Sequence, residues 1–281
     1  MSRYDDMFAG LAGEGAFGAF LMLGDPDLET SAALLDALVE GGADMVEVGI
    51  PFSDPVADGP VIQAAADRAL RAGTTPADCF SLLGDFRARH SGIPVGILTY
   101  ANIVVARGIA AFYQSAAEQG ADSVLVADVP LLESAPFLTA ADEAGIDPVL
   151  IAASNTPRPT LKHIARAGRG YTYCVARAGV TGVDDEVRFD HGALFEALRA
   201  DGAPPPVLGF GISRPRHVRA ALEAGAAGVI CGSAIVRLVE EEGDPCPRVR
   251  SFVAEMKEAT RQHCLAEGQL SCPGAAASIW R

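Results

Sequence analysis

The sequence predicts an α/β protein: a closed (β/α)8 barrel with an additional N-terminal helix and extra helices. Three observations predict it. First, one phrase recurs: a helix end, a glycine, then a short apolar strand. It reads Glu-Gly-Gly42-Ala-Asp-Met-Val-Glu-Val, Glu-Gln-Gly120-Ala-Asp-Ser-Val-Leu-Val, Glu-Ala-Gly145-Ile-Asp-Pro-Val-Leu and Glu-Ala-Gly225-Ala-Ala-Gly-Val-Ile, with weaker copies at Gly92, Gly168 and Gly202. Glycine just past a helix supplies the left-handed backbone that ends it cheaply. Second, helix-period segments lie between the strands, and strand-helix alternation means parallel strands with crossover helices. Third, the repeat is short: the glycines at 92, 120, 145 and 168 lie 28, 25 and 23 residues apart. Eight such units suit a closed barrel better than an open doubly wound sheet.

The elements follow in order. A first strand, Ala16–Leu23, opens after Gly15. Leu34, Leu35, Leu38 and Val39 give the next helix one apolar face. Strand 45–50 runs into a loop, then a helix Val61–Arg71 with Pro60 suited to its first turn, then an extra helix near 76–90. Strand 94–100 is followed by a helix with Phe112, Ala116 and Ala117 inward. Strands 123–127, 147–152, 171–175 and 206–210 come next. A helix marked by Val218, Ala221 and Leu222 leads to the last strand, 228–231. Residues 1–259 form a single barrel domain. Residues 260–281 lack helix-strand punctuation and are read as a disordered C-terminal tail.

Composition narrows the function. The net charge of −14 argues against nucleic acid and anionic lipid as partners. No apolar run reaches the ~18 residues of a membrane span. The N-terminal segment lacks a secretory core. The six cysteines (79, 174, 231, 246, 264 and 272) show no C-x-x-C pair, which predicts reduced thiols in a cytoplasmic protein.

The stretch Val46-Glu-Val-Gly-Ile-Pro-Phe-Ser-Asp-Pro-Val-Ala-Asp-Gly-Pro-Val-Ile-Gln63 carries the chemistry. Alternation puts Val46 and Val48 on one face of the strand and Glu47 and Gly49 on the other. Valines suit the helix side, so Glu47 is expected in the lumen near the catalytic end. A buried carboxylate is costly unless paired or used; the bland alternative is a structural partner for an arginine. Asp54 and Asp58 follow in the loop, where turn chemistry or helix capping would also explain them. At the other end, Gly209-Phe210-Gly211-Ile-Ser213 and Gly232-Ser233 follow adjacent strands. Loops there form the recurrent phosphate site of this barrel, although two tight turns would look the same. The histidines, at 90, 163, 191, 217 and 263, are read as surface residues. No metal spacing or Ser-His-Asp set is visible.

These motifs together resemble the tryptophan synthase α subunit family. The matching pieces are Glu47 through Pro60, Gly-Asp-Pro26, Tyr100-Ala-Asn102, Val-Ala-Asp128-Val-Pro, Tyr171-Thr-Tyr173, Arg177-Ala-Gly-Val-Thr-Gly182, Gly-Phe-Gly-Ile-Ser213 and Gly-Ser-Ala-Ile235. They stand in family order across about residues 1–259. The resemblance implies a lyase that cleaves indole-3-glycerol phosphate to indole and glyceraldehyde 3-phosphate. It implies no cofactor in this chain and a β-subunit partner, in an α2β2 complex, that carries pyridoxal phosphate. It implies Glu47 as general acid/base and Asp58 as the carboxylate holding the indole N–H. Phe20, Tyr100, Asn102, Leu125, Tyr173 and Phe210 fall at pocket positions; Thr181, Gly182, Gly211, Gly232 and Ser233 fall at the phosphate end. Asp54 and Thr181 lie on the two long loops, 51–60 and 176–190, that would couple the site to the partner. The alternative is a stand-alone lyase that releases free indole without a β subunit. Met22, the stretch 152–157 and the acidic stretch 183–190 depart from the family pattern.

Overall fold

The structure, a computed structural model, describes residues 2–175 and 191–267. Its parallel strands are β1 (Ala16–Met22), β2 (Met45–Gly49), β3 (Val95–Thr99), β4 (Ser123–Val126), β5 (Asp147–Pro148), β6 (Leu150–Ala153), β7 (Thr172–Val175), β8 (Pro206–Gly209) and β9 (Gly228–Cys231). They form one sheet in the order β5-β4-β3-β2-β1-β9-β8-β7-β6. The two end members are halves of the single strand expected at 147–152. Pro148 has no N–H to give the ladder, so the strand divides there. The ring nevertheless passes through this point. Val149 N donates to Val124 O at 3.1 Å on one side, and Pro148 O accepts from Arg169 N at 3.0 Å on the other. The result is the (β/α)8 barrel expected.

Side-chain alternation sorts the core into two layers. Phe17, Ala19, Leu21, Val46 and Val48 face outward into the sheet-helix layer. Phe20, Met22, Met45, Tyr173 and Ile230 face the lumen. The sheet-helix layer is closed by α2 (Leu28–Glu40), α4 (Pro76–Arg89), α5 (Ala101–Arg107), α6 (Ile109–Glu118), α7 (Ala135–Ala144), α8 (Arg158–Ala167), α9 (Gly192–Ala200), α10 (Pro215–Glu223), α11 (Ser233–Glu240) and α12 (Cys246–Glu267).

Two helices close the lumen instead. The N-terminal α1 (Arg3–Gly10) starts at a capping box formed by Ser2 and Asp5. Its Tyr4 is buried in the lumen cluster, and its hydroxyl lies 2.8 Å from Ser123 Oγ. Against β1 and α11, α3 (Pro60–Arg71) turns Ile62, Ala65, Ala66 and Ala69 into the same cluster.

The C-terminal boundary differs from expectation. α12 runs past residue 259 to Glu267. Val249, Val253, Met256, Ala259 and Thr260 are all buried. They continue one 3.6-residue stripe, so the helix has no reason to stop at 259. Residues 268–281 lie outside the described residues. Among the described residues, no helix is long and apolar enough to cross a membrane.

Candidate active site

A cavity of about 260 Å³ opens at the C-terminal end of the strands. Nine of the residues proposed from sequence line it: the carboxylates Glu47 and Asp58, the apolar and aromatic Phe20, Leu125, Tyr173 and Phe210, and Gly211, Gly232 and Ser233 from the loops after β8 and β9. The barrel thus gathers residues that are up to 213 positions apart in the chain, as Phe20 and Ser233 are. An apolar middle with a few convergent polar groups is the usual form of a small-molecule site.

Glu47 is 3% exposed. The Tyr171 hydroxyl donates to its Oε1 at 2.9 Å. Its carboxyl is pushed up to about 7. Loss of hydration is the main cause; the Tyr171 hydrogen bond opposes it, and the Asp58 charge adds to it. Asp58 is also buried, and desolvation pushes its carboxyl up to about 6 against a stabilising hydrogen bond from Tyr100. The bland reading of Glu47 as an arginine's partner therefore fails: its hydrogen-bond partner is a phenol. Asp58 does not cap α3 either, since Gly59 is the N-cap residue.

Tyr100 lies behind Asp58 rather than on the cavity wall. Its hydroxyl accepts from Ala57 N at 3.3 Å, and its ring stacks on Phe52 with centroids 5.4 Å apart. It pins the loop that carries Asp58. Asn102 is exposed on α5 and does not line the cavity. Asp54 is exposed in the loop and takes a hydrogen bond from Ser53. Thr181 and Gly182 lie outside the described residues.

The loop after β8 is bent sharply. Phe210 (φ 65°) and Gly211 (φ 74°) both take left-handed backbone. For a bulky side chain that conformation is strained, typically by ~1–3 kcal/mol, and such strain clusters at functional sites. The bend aims the Phe210 ring at Tyr173, with centroids 5.9 Å apart. Across from it, α11 begins at Ser233 with no side-chain cap and no acid in its first turn. Its dipole presents partial positive charge to the cavity. Gly211→Val and Ser233→Asp should each weaken substrate at least tenfold. The first forces a β-branched residue into left-handed backbone; the second sets a carboxylate beside the anion site. Inhibition by glycerol 3-phosphate checks this; unchanged inhibition in both variants would remove the phosphate from these loops.

Sequence reasoning missed two features. Tyr171 belongs to the Tyr171-Thr-Tyr173 motif, which does not by itself mark it as a site residue. Alternation places it on the face of Tyr173, one step deeper in the lumen, so the signal was present. The second is a correction: His191 and His217 are buried, at 2% and 4% exposure, not on the surface. His217 shares the buried stripe of α10 with Val218, Ala221 and Leu222, and its Nδ1 accepts from Ser213 N at 3.3 Å. His191 stacks on Phe195, with centroids 5.8 Å apart.

Comparisons with known proteins place the chain in a family. A family model described as tryptophan synthase alpha chain matches residues 9–264. The tryptophan synthase alpha chain of Shewanella amazonensis is 52% identical over 266 residues, covering 92% of this chain and 100% of that one. Among solved structures, tryptophan synthase of Mycobacterium tuberculosis superposes with a TM-score of 0.84 at 30% identity, over 92% of this chain and 98% of that one. A chain of the tryptophan synthase complex of Pyrococcus furiosus does so with a TM-score of 0.79 at 35% identity, over 87% and 98%. The chain therefore belongs to the tryptophan synthase alpha chain family.

Proposed function

We propose that Glu47 and Asp58 carry out, in this cavity, the α reaction of the family. The chain is a lyase of tryptophan biosynthesis, an α subunit whose partner is the β subunit. The reaction is the retro-aldol cleavage of indole-3-glycerol phosphate to indole and glyceraldehyde 3-phosphate. The observation that supports the residue roles best is a protonatable carboxyl, Glu47, beside a second carboxylate, Asp58, in a cavity with an anion-favouring helix start.

The chemistry follows from that arrangement. With its carboxyl near 7, Glu47 is poised to give up a proton and take one back at neutral pH. In the first step its proton goes to indole C3, and the ring becomes a cationic iminium. Asp58, as carboxylate, faces the ring N–H and stabilises the charge that develops there. In the second step the Glu47 carboxylate takes the proton of the hydroxyl next to the ring. That O–H pair becomes the aldehyde C=O. The pair of the breaking C–C bond returns to the ring and neutralises it. Glu47 ends protonated, as it began.

Protons and electrons balance without a cofactor, so we read this chain as working without one; pyridoxal phosphate belongs to the β subunit. We also read the chain as cytoplasmic. Cys79, Cys174, Cys231 and Cys246 are unpaired, which fits a reducing compartment. The test is to incubate the pure chain with indole-3-glycerol phosphate, with and without a β subunit, and measure indole. Indole should form in both and faster with the partner. No indole in either mixture overturns the reading, and full speed alone favours the stand-alone lyase.

A further inference from the structure

We propose that Arg68, gripping Asp25 and Glu240, is a positioning residue that sets where Asp58 meets the indole ring. The inference rests on the role assigned to Asp58 above.

Asp58 rides on α3. It immediately precedes the N-cap Gly59, and Gln63 Nε2 donates to Asp58 O at 2.7 Å. The carboxylate therefore moves with the helix. A 12-residue helix is a rod of about 18 Å, so a shift at one end is carried to the other. The buried face of this rod is mostly small: Ala65, Ala66 and Ala69 accompany Ile62. Three alanines exclude water well but interlock poorly, so apolar packing alone leaves the rod weakly keyed against sliding and rotation.

Polar contacts key it at both ends. Near Asp58, the Tyr100 hydroxyl bonds the Asp58 carboxylate and takes the Ala57 N–H. At the far end, Arg68 Nε and Nη2 reach Asp25 Oδ1 and Oδ2 at 2.7 and 2.8 Å. Its Nη1 reaches Glu240 Oε1 at 2.7 Å. The fork is bidentate, and therefore directional as well as attractive. Asp25 is 3% exposed and stands in the loop after β1, the strand that supplies Phe20 to the cavity. Glu240 ends α11, the helix that begins with Ser233. One guanidinium thus ties the helix carrying Asp58 to two elements that build the rest of the cavity, and α3 packs against both. None of these three side chains lines the cavity, so an effect of Arg68 on catalysis is indirect, and the choice of probe separates an effect through α3 from one through α11.

The test is a cycle between the clamp and Asp58. Arg68→Met alone would leave a buried charge on Asp25 without a partner, so the main variant is the neutral pair Arg68→Met/Asp25→Asn. Arg68→Lys, which keeps the charge and loses the fork, is the second variant, and it carries the test if the neutral pair does not fold. The probes are an indolylpropyl phosphate, which offers ring and phosphate with no hydroxyl to deprotonate, and glycerol 3-phosphate, which offers no ring.

In the parent background the clamp variants should weaken the indolyl probe about fivefold or more and lower kcat. Glycerol 3-phosphate should bind within about twofold of parent. In an Asp58→Ala background the same clamp variants should change the indolyl probe by less than about twofold, because the group they position is gone. Equal losses with and without Asp58, or a loss of glycerol 3-phosphate affinity as large as that of the indolyl probe, would overturn the proposal. No loss in either folded clamp variant would overturn it too. Failure of the underlying reading looks different: Asp58→Ala itself would then bind the indolyl probe and turn over like the parent.

Discussion

Glu47→Gln should abolish nearly all cleavage and, at the same time, make the protein more stable at alkaline pH. The rate loss follows from the chemistry: an amide of the same shape cannot carry the proton in either step. Removing a general acid/base costs about 10²–10⁴ in rate or more. The stability gain follows from burial. Folded Glu47 holds its proton up to about 7, whereas the unfolded carboxyl releases it near 4.5. The protonated side chain therefore favours the fold fully below 4.5, and that contribution is lost as pH rises through 7. At pH 8 the parent keeps a buried carboxylate that the amide replaces, a difference of at most about 3 kcal/mol. This corresponds to a rise in Tm on the order of 5 °C. The Tyr171 hydroxyl can donate to the amide oxygen as it does to Oε1, so no new orphan group is created on that side. At pH 5 the gap in Tm should shrink to about a quarter, because folded Glu47 is then neutral and only the unfolded carboxyl is still partly ionised. Thermal melts of parent and variant at pH 5 and 8, with turnover measured on the same samples, check both halves. A variant within tenfold of parent turnover would make Glu47 structural. A variant less stable than parent at pH 8 would contradict its desolvation.

Much of this site was legible in the sequence because strand alternation is rigid. Glu47 shares its face of β2 with Gly49 and not with Val46 or Val48, and a one-residue slip would reverse every assignment. The glycine punctuation located the strands, and the barrel then gathered their C-terminal ends. What was not legible depended on contacts between distant segments. That Tyr100 stands behind Asp58, and not against the substrate, follows from how the 51–58 loop folds back onto the start of α5; nothing local to Tyr100 says so. His217 is buried by its place on the apolar stripe of α10, which its polar type masks, and His191 by its stacking on Phe195 just inside α9. The division at Pro148 and the extension of α12 are local matters that proline chemistry and a continued apolar stripe would have revealed. Phe210 in left-handed backbone is different. A sequence in which glycine stands on both sides gives no reason to seat the phenylalanine there, and only the packing of its ring on Tyr173 explains it.

Asp58→Asn should cut kcat by about 10²–10³, the usual loss when a group that stabilises charge only in the transition state is removed. It should leave affinity for an indolylpropyl phosphate within about fivefold. The two effects separate because the indole N–H is neutral in the ground state and becomes cationic only once C3 is protonated. An amide oxygen can accept a neutral N–H. The Tyr100 hydroxyl both donates and accepts, so the amide can turn its oxygen to the ring. Only the full negative charge answers the cation. The same argument fixes a pH effect at the neighbouring residue. Asp58 works as the carboxylate, and its carboxyl, raised to about 6 by burial, is held down by the hydrogen bond from Tyr100. Tyr100→Phe removes that donor, so the carboxyl should rise further. The acid limb of kcat/KM should then move to higher pH, with the rate well above the limb changed less. Turnover and inhibitor titrations for Asp58→Asn, with pH-rate profiles for Tyr100→Phe, check the pair. Normal turnover with a large loss of inhibitor binding would make Asp58 a ground-state binding group. An acid limb unmoved in Tyr100→Phe would assign that limb to some group other than Asp58.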